Sequence, residues 1–461
     1  MKFVDRDLMA VQEARVLMEE AGEARIALGT WKQEKLDRVV RAMMQACSER
    51  VEMLVQMAVR ETGYGDVSDQ VKICRFLISS LEKAYDGMQC VGILESCESE
   101  GVLEIGVPLG VIAVAVPALS PVSAVIFTAL TAVKSGNAVV FAPHPRAVET
   151  TKKTVQILRE SALAEGFPDG AISCMETSAK EGALELFTHP QTSLILNIGE
   201  EALYKETPAG KPVIYGGIVP SPVFIERSAD VKTAVTDIVA GRSFNCGIVS
   251  GSEQYVVADS RIAETAKREM VACQAYFMSE EEERKLIRLL GIGEKQGCAE
   301  KEYIGKSAEW LAGKAGFSVP KGTRVLVSEQ TYITDFNPYA SALLCPVMVF
   351  YIENDWMHAC EKCMELLMGE NHGNTLAIHS TDAEVIRQFA LKKPVGRVLV
   401  NTSSSAGAMG VTTNLFPSAV LGSLSAGMGI TAENVSPMNL IYRRKAAFGV
   451  RSFQKMMEQH R

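Results

Sequence analysis

The chain lacks the means to build a membrane span, a zinc cage or a nucleic-acid surface. Its longest near-continuous apolar stretch, VPLGVIAVAVPALSPVSAVIF, is cut by Pro108, Pro117 and Pro121. It reads as buried strand and turn, not as a membrane helix. The six histidines form no HExxH pattern, so no metal is expected. Positive charge is not in excess, with 47 Lys and Arg against 55 Asp and Glu and a net charge of −8. That balance gives no electrostatic reason to bind nucleic acid or an anionic membrane. The opening residues, MKFVDRDLMAVQEARVL, lack the apolar segment of a signal peptide and read as an amphipathic helix. The cysteines are scattered and odd in number, eleven in all. Without a secretory signal, they point to reduced thiols and a cytoplasmic setting.

What remains is an ordinary globular composition, 47% hydrophobic and 22% charged. A chain of 461 residues is too long for one core and implies two large domains. One cysteine pair, Cys360-Glu-Lys-Cys363, has metal or redox spacing. It has no second CxxC and sits where apolar residues recur at helical spacing, in DWMHACEKCMELLM, so it reads as structural.

Residues 1–90 read as helical, with few breakers before Gly63. From 106 the pattern changes. Val111–Val116, Ala138–Ala142, Ala171–Met175, Ser193–Asn197 and Val213–Tyr215 read as strands, with helices at Pro121–Val133 and Ala147–Ala164 between them. This alternation predicts an α/β fold with a parallel sheet covered on both faces. Ligands then belong at the carboxyl ends of the strands. A second alternating series begins near 237, with strands at Tyr255–Ala258, Arg324–Val327, Val347–Ile352, Thr375–Ile378 and Val398–Val400. Helices are expected within it at Asp259–Ala275 and Asp382–Leu391. Short polar strand candidates at Gly101–Ile105 and Asn439–Tyr442 belong to neither series. They can pair with each other or with another subunit's sheet edge.

Four stretches carry a family resemblance: GVPLGVIAVAVPALSPVSAVIFTALTAVKSGNAVVFAPHPRA (106–147), SADVKTAVTDIVAGRSFNCGIVSGSEQ (228–254), AGFSVPKGTRVLVSE (315–329) and the tail from VLVNT to ENVSP (398–437). The chain resembles the CoA-acylating aldehyde dehydrogenases, in particular the aldehyde half of the bifunctional aldehyde–alcohol dehydrogenases. The resemblance implies a Rossmann-type dinucleotide domain at 1–236 with a flap strand near 98–107. A catalytic-type domain at 237–430 and an oligomerisation segment at 431–461 follow. It also implies NAD or NADP and CoA as cofactors, a small aldehyde as substrate and a homo-oligomer, a dimer or larger. It allows a bacterial microcompartment, where relatives often reside, as the setting, with other microcompartment or dehydrogenase proteins as partners. The family's reaction needs an accessible thiolate, donors for an oxyanion, and a glycine-rich turn for the pyrophosphate.

At those positions this chain departs from the family. The nucleophile loop F-D-N-G-x-x-C reads Phe244-Asn245-Cys246-Gly247-Ile248-Val249-Ser250, so Ser250 stands where the thiol belongs and Cys246 comes four residues early. A serine hydroxyl is the weaker nucleophile without a general base. The oxyanion turn P-x-x-N-P reads Pro117-Ala118-Leu119-Ser120-Pro121; Ser120 either donates one hydrogen bond from a shorter arm or caps the next helix. By resemblance, cofactor contacts fall at Pro117, at His144 and Pro145 of APHPRA, and at Gly199 and Glu200. Glu200 and Glu201 suit a helix N-terminus but repel a pyrophosphate. The ribose-holding glutamate of E-K-L-S-P is Ala342, and the histidine of G-H-T is Asn374, with His372 nearby. Two readings stand: an active enzyme whose nucleophile has moved to Cys246, or a degenerate paralogue that serves as scaffold, regulatory partner or binder of another small molecule. Packing is the expected role of Cys246.

Overall fold

The computed structural model describes residues 5–97, 101–199, 210–291, 302–333, 338–368, 374–423 and 429–453. Four helices form the N-terminal layer: α1 (Arg6–Leu28), α2 (Gln33–Ser48), α3 (Val51–Thr62) and α4 (Val67–Tyr85). Each boundary that matters has a local cause. Asp5 caps α1 by accepting from the Asp7 and Leu8 N–H groups, and Asp66 caps α4 by accepting from Asp69 N–H. Gly63 ends α3 in the left-handed region.

The first sheet has five parallel strands, in the order β5-β4-β3-β6-β7. They are β3 (Val111–Ala115), β4 (Ala138–Ala142), β5 (Ile172–Cys174), β6 (Thr192–Asn197) and β7 (Val213–Tyr215). Strands β3 and β4 are buried along their whole length, as a continuous apolar run requires when helices cover both faces. Helix α5 (Pro121–Lys134) is buried throughout, with Pro121 in its first turn; α6 (Val148–Ala164) and α7 (Lys180–Thr188) complete the layers.

The second sheet has seven parallel strands, in the order β10-β11-β12-β9-β8-β13-β14. They are β8 (Ser221–Ile225), β9 (Glu253–Asp259), β10 (Ala275–Phe277), β11 (Val325–Glu329), β12 (Val347–Glu353), β13 (Thr375–His379) and β14 (Arg397–Val400). Its helices are α8 (Val231–Ser243), α9 (Ala263–Ala272), α10 (Glu280–Leu290), α11 (Ala308–Ala315), α12 (Trp356–Leu367), α13 (Ala383–Lys392) and the short α14 (Ser404–Ala408). Pairing of β8 with β9 and β13 puts the second sheet's start at 221, ahead of the division at 236/237 expected from the alternation. Pro222 hides this strand from a sequence reading, because proline rarely sits in a central strand. Here the register shifts between Ser221 and Pro222, an irregularity that accommodates the missing N–H.

The two short polar candidates do pair. β2 (Val102–Pro108) runs antiparallel to β15 (Ile441–Ala447), with Pro108 opposite Ile441, and β1 (Gly92–Cys97) completes a three-stranded flap. No described helix is long and apolar enough to cross a membrane.

Candidate active site

The chain leaving β3 turns toward β4, while the chain leaving β6 turns toward β7 on the other side. Between these two strand ends lies a crevice of the kind in which parallel sheets bind ligands. Pro117 and Ser120 follow β3, His144 and Pro145 follow β4, and Gly199 follows β6, so these expected site residues share the carboxyl edge of the first sheet. Glu200, Glu201 and His372 lie outside the described residues. Ser120 is half-buried and its side chain makes no capping bond to α5, which removes the helix-cap reading.

The nucleophile loop approaches from the other unit, at the entry to β9. After α8, the 3-10 turn Phe244–Gly247 places Asn245, Cys246 and Gly247 in succession in the left-handed region, with φ of 48°, 53° and 76°. Such a run is strained for the non-glycine residues and needs external support. The support comes from the start of α4, far away in sequence. Asp66 N–H donates to Asn245 Oδ1 at 2.8 Å, and Asn245 N–H donates to Asp69 Oδ2 at 2.9 Å. Gly65 makes the approach possible, since a Cβ there would lie 2.3 Å from Asn245 Oδ1. On the opposite side, a Cβ on Gly247 would meet the Cys345 carbonyl at 2.8 Å.

This arrangement decides the character of Cys246. Burial pushes its thiol up to about 11, Asp66 and Asp69 push the same way, and Lys306 only partly opposes them. A thiol so placed is mostly protonated at neutral pH and a poor nucleophile.

Ser250 sits half-buried in a turn closed by Ser252 N–H to the Val249 carbonyl, with Gly251 left-handed at φ 75°. Among the described residues, no side chain exchanges a hydrogen bond with the Ser250 hydroxyl. The turn is anchored just beyond it. Gln254 donates to the carbonyls of Tyr339 at 2.7 Å and Ser341 at 3.0 Å, and accepts from Leu343 N–H at 2.9 Å. That clamp holds the segment bearing Ala342, whose methyl group offers a ribose no acceptor. Glu253 is buried beside Arg242 and accepts from Ser403 Oγ at 3.1 Å and from Ser404 N–H. The two units meet at the site: Ala118 and Leu119, next to Ser120, share a hydrophobic cluster with Tyr64, Ile248, Tyr339 and Leu343. Asn374 is buried, donates to the Leu421 carbonyl and accepts from Thr375, which makes it a tie within the fold.

Residues 5–281 match the profile described as "Aldehyde dehydrogenase family". The chain belongs to the aldehyde dehydrogenase family. Its sequence is 32% identical over 443 residues to the bifunctional aldehyde–alcohol dehydrogenase of Escherichia coli, covering 95% of this chain and 49% of that protein. The chain thus spans about half the length of the first curated relatives it matches. A solved acetylating aldehyde dehydrogenase from Geobacillus thermoglucosidasius superposes with a TM-score of 0.93 at 35% identity, over 98% of this chain and 99% of that one. A probable aldehyde dehydrogenase from Listeria monocytogenes gives a TM-score of 0.94 at 38% identity, over 98% and 100%.

Asp66, Asp69, Lys306 and Gln254 were not singled out by sequence reasoning. Gln254 lay inside the recognised SEQ segment and could have been marked there; the others act across long sequence separations that leave no local pattern. For a dinucleotide the fit is partial. Gly199 carries no side chain at the end of β6, although a Cβ there would make only ordinary contact, 3.4 Å from that of Ala115. Ala342 does not fit a ribose.

Proposed function

We propose that this aldehyde dehydrogenase-family chain retains the frame of a CoA-acylating enzyme but converts aldehyde to acyl-CoA weakly or not at all. One observation carries the reading. The loop's only cysteine faces two carboxylates with its thiol pushed up to about 11, while a serine occupies the turn before β9. When bound, a nicotinamide cofactor supplies the hydride acceptor and CoA the acyl acceptor. The protein must then supply the atom that attacks the carbonyl. Ser250 has only a hydroxyl, with no described base in hydrogen-bonding contact, and an oxygen ester is a worse acyl donor to CoA than a thioester. Ser120 can give one hydrogen bond to the developing oxyanion, from a shorter arm than asparagine. Such a chain suits a role as a binder of aldehyde or acyl-CoA ligands, or as a subunit beside an active dehydrogenase. The β1-β2-β15 flap would serve as its oligomer contact.

The test is acyl-CoA formation from short aldehydes with NAD or NADP and CoA, comparing the natural chain with Ser250→Cys. The cysteine variant should exceed the natural chain by at least about tenfold, or about 1.4 kcal/mol of barrier. Fast turnover by the natural chain that disappears in Cys246→Ala would overturn the proposal. Calorimetric titration with NAD, NADP and CoA separates lost chemistry from lost cofactor binding.

A further inference from the structure

The CxxC pair belongs to the hydrophobic cluster that also holds Ala118, Ile248 and Leu343. Helix α12 carries Cys360 and Cys363 one turn apart, 8% and 0% exposed. Just past the end of α13, Lys393 reaches back to the first of them. Its Nζ donates to the Cys360 carbonyl at 2.6 Å and lies 2.8 Å from Cys360 Sγ. The same nitrogen stands 4.8 Å from the centroid of the Phe389 ring. Lys393 is only 7% exposed and forms no ion pair with a carboxylate among the described residues.

A buried ammonium needs a compensating partner. Of the groups within hydrogen-bonding distance of Nζ, the Cys360 sulfur is the one that can become an anion. The ring and the carbonyl supply weaker compensation. The contact sets a lysine nitrogen directly against a sulfur, the atom that peroxides oxidise. Elsewhere burial pushes the Cys47, Cys74, Cys90, Cys345 and Cys363 thiols up to about 12.

We propose that Cys360 is an oxidant-sensitive modification site, with hydrogen peroxide as co-reactant and Lys393 as the group that captures the oxidised sulfur. The thiolate attacks one peroxide oxygen, the O–O bond breaks, and the departing hydroxide takes a proton from the Lys393 ammonium to leave as water, which frees the amine. Cys360 is then a sulfenic acid, its sulfur oxidised by two electrons. Deprotonated Lys393 Nζ attacks that sulfur, the S–OH bond breaks, and the hydroxide leaves as water with the amine's proton. In sum, one thiol, one amine and one peroxide give one S–N bond and two waters.

Lys393, not Cys363, closes the link for a geometric reason. Side chains three apart on a helix have Cβ atoms about 5–6 Å apart, whereas a disulfide needs about 3.5–4.5 Å. Lys393 is already in contact with the sulfur. The cross-link ties α12 to the chain following α13.

The experiment treats the native full chain with one to five equivalents of hydrogen peroxide and maps its peptides by mass spectrometry after acid quenching. The expected product joins the Cys360 and Lys393 peptides, two hydrogens lighter than their sum, and reverts with dithiothreitol. It should persist in Cys363→Ala and vanish in Lys393→Met. Cys360 should react at least about tenfold faster than Cys47, Cys74 and Cys90. A Cys360–Cys363 disulfide, loss of the product in Cys363→Ala, or an unmodified Cys360 at five equivalents would each overturn the assignment. The map of the natural chain decides the matter even if a variant fails to fold.

Discussion

The carboxyl edges of the two sheets share a topology and differ in what fills them. In the second sheet, the chain leaving β8 turns toward β9, while the chain leaving β13 turns toward β14 on the other side. This makes a crevice equivalent to the one between β3 and β6. Here, however, the protein's own side chains occupy it. Buried Glu226 accepts from Ser228 N–H at 2.8 Å, from the Ser228 hydroxyl and from Ser380 Oγ at 3.0 Å. Thr381 N–H donates to Ser228 Oγ at 2.9 Å, and Asn401 bonds both the N–H and the carbonyl of Ser380. Next to them, burial pushes the His379 imidazole down to about 4 and holds it neutral. At the first edge, among the described residues, the Ser120 side chain makes no capping bond to α5 and Gly199 carries no side chain. Topology supplies the crevice twice, and side-chain hydrogen bonding fills the second.

The largest effect should come from unpicking the closed edge. Glu226→Ala removes a buried acceptor of three hydrogen bonds and should cost about 3 kcal/mol, read as a lower denaturant midpoint. A loss below about 1 kcal/mol would mean that these bonds do not hold the edge shut.

The next prediction concerns the amino edge of the second sheet, behind the Ser250 turn. Burial raises the Glu253 carboxyl to about 7 from 4.5, against the pull of its hydrogen bonds to Ser404 and Ser403 and of nearby Arg242. A raised carboxyl binds more protons folded than unfolded between these two values. Stability should therefore be greatest below about 4.5, as far as this group is concerned, and fall as pH rises through about 7. The span is up to about 3 kcal/mol. Denaturation midpoints at pH 5, 6, 7 and 8 should decline in the natural chain and flatten in Glu253→Gln. Parallel curves for the two proteins would refute the assignment.

A smaller effect is expected at Cys246. It holds a left-handed backbone at φ 53° that asparagine tolerates better. Cys246→Asn should raise stability by about 1 kcal/mol or less and leave any acyl-CoA formation unchanged. An activity lost in this variant would make Cys246 the nucleophile and revive the moved-thiol reading.

Legibility in the sequence followed physical range. Long apolar runs such as Val111–Val116 and Ala138–Ala142 announce buried parallel strands, and both form where the pattern puts them. Strand β8 escaped because Pro222 argues against a central strand unless a register shift is known, and β10 because the helix expected at Asp259–Ala275 runs onto its first residue. The site divides the same way. Ser250, Ser120 and Ala342 are candidates that motif framing marks, and such framing is local. The Asp66–Asn245 and Asp69–Asn245 bonds join residues 179 and 176 apart, and no periodicity or turn signal encodes them. They nevertheless fix the conformation that sets the character of Cys246.

The smallest expected effect returns to the open edge and is the most direct check on the comparison. The Ser120 hydroxyl is half-buried and leaves the first N–H groups of α5 uncapped. Ser120→Ala should therefore change stability by less than about 0.5 kcal/mol, unlike a capping serine, whose loss costs about 1 kcal/mol. Its effect should appear only with ligand present: if the hydroxyl faces the oxyanion position, any measurable turnover in Ser250→Cys should drop further when Ser120→Ala is added. Denaturation of the free protein and the rate of the double variant test the two halves separately. A stability loss of about 1 kcal/mol or more with an unchanged rate would reclassify Ser120 as structural, and the open edge would then resemble the closed one more than the side-chain bonding indicates.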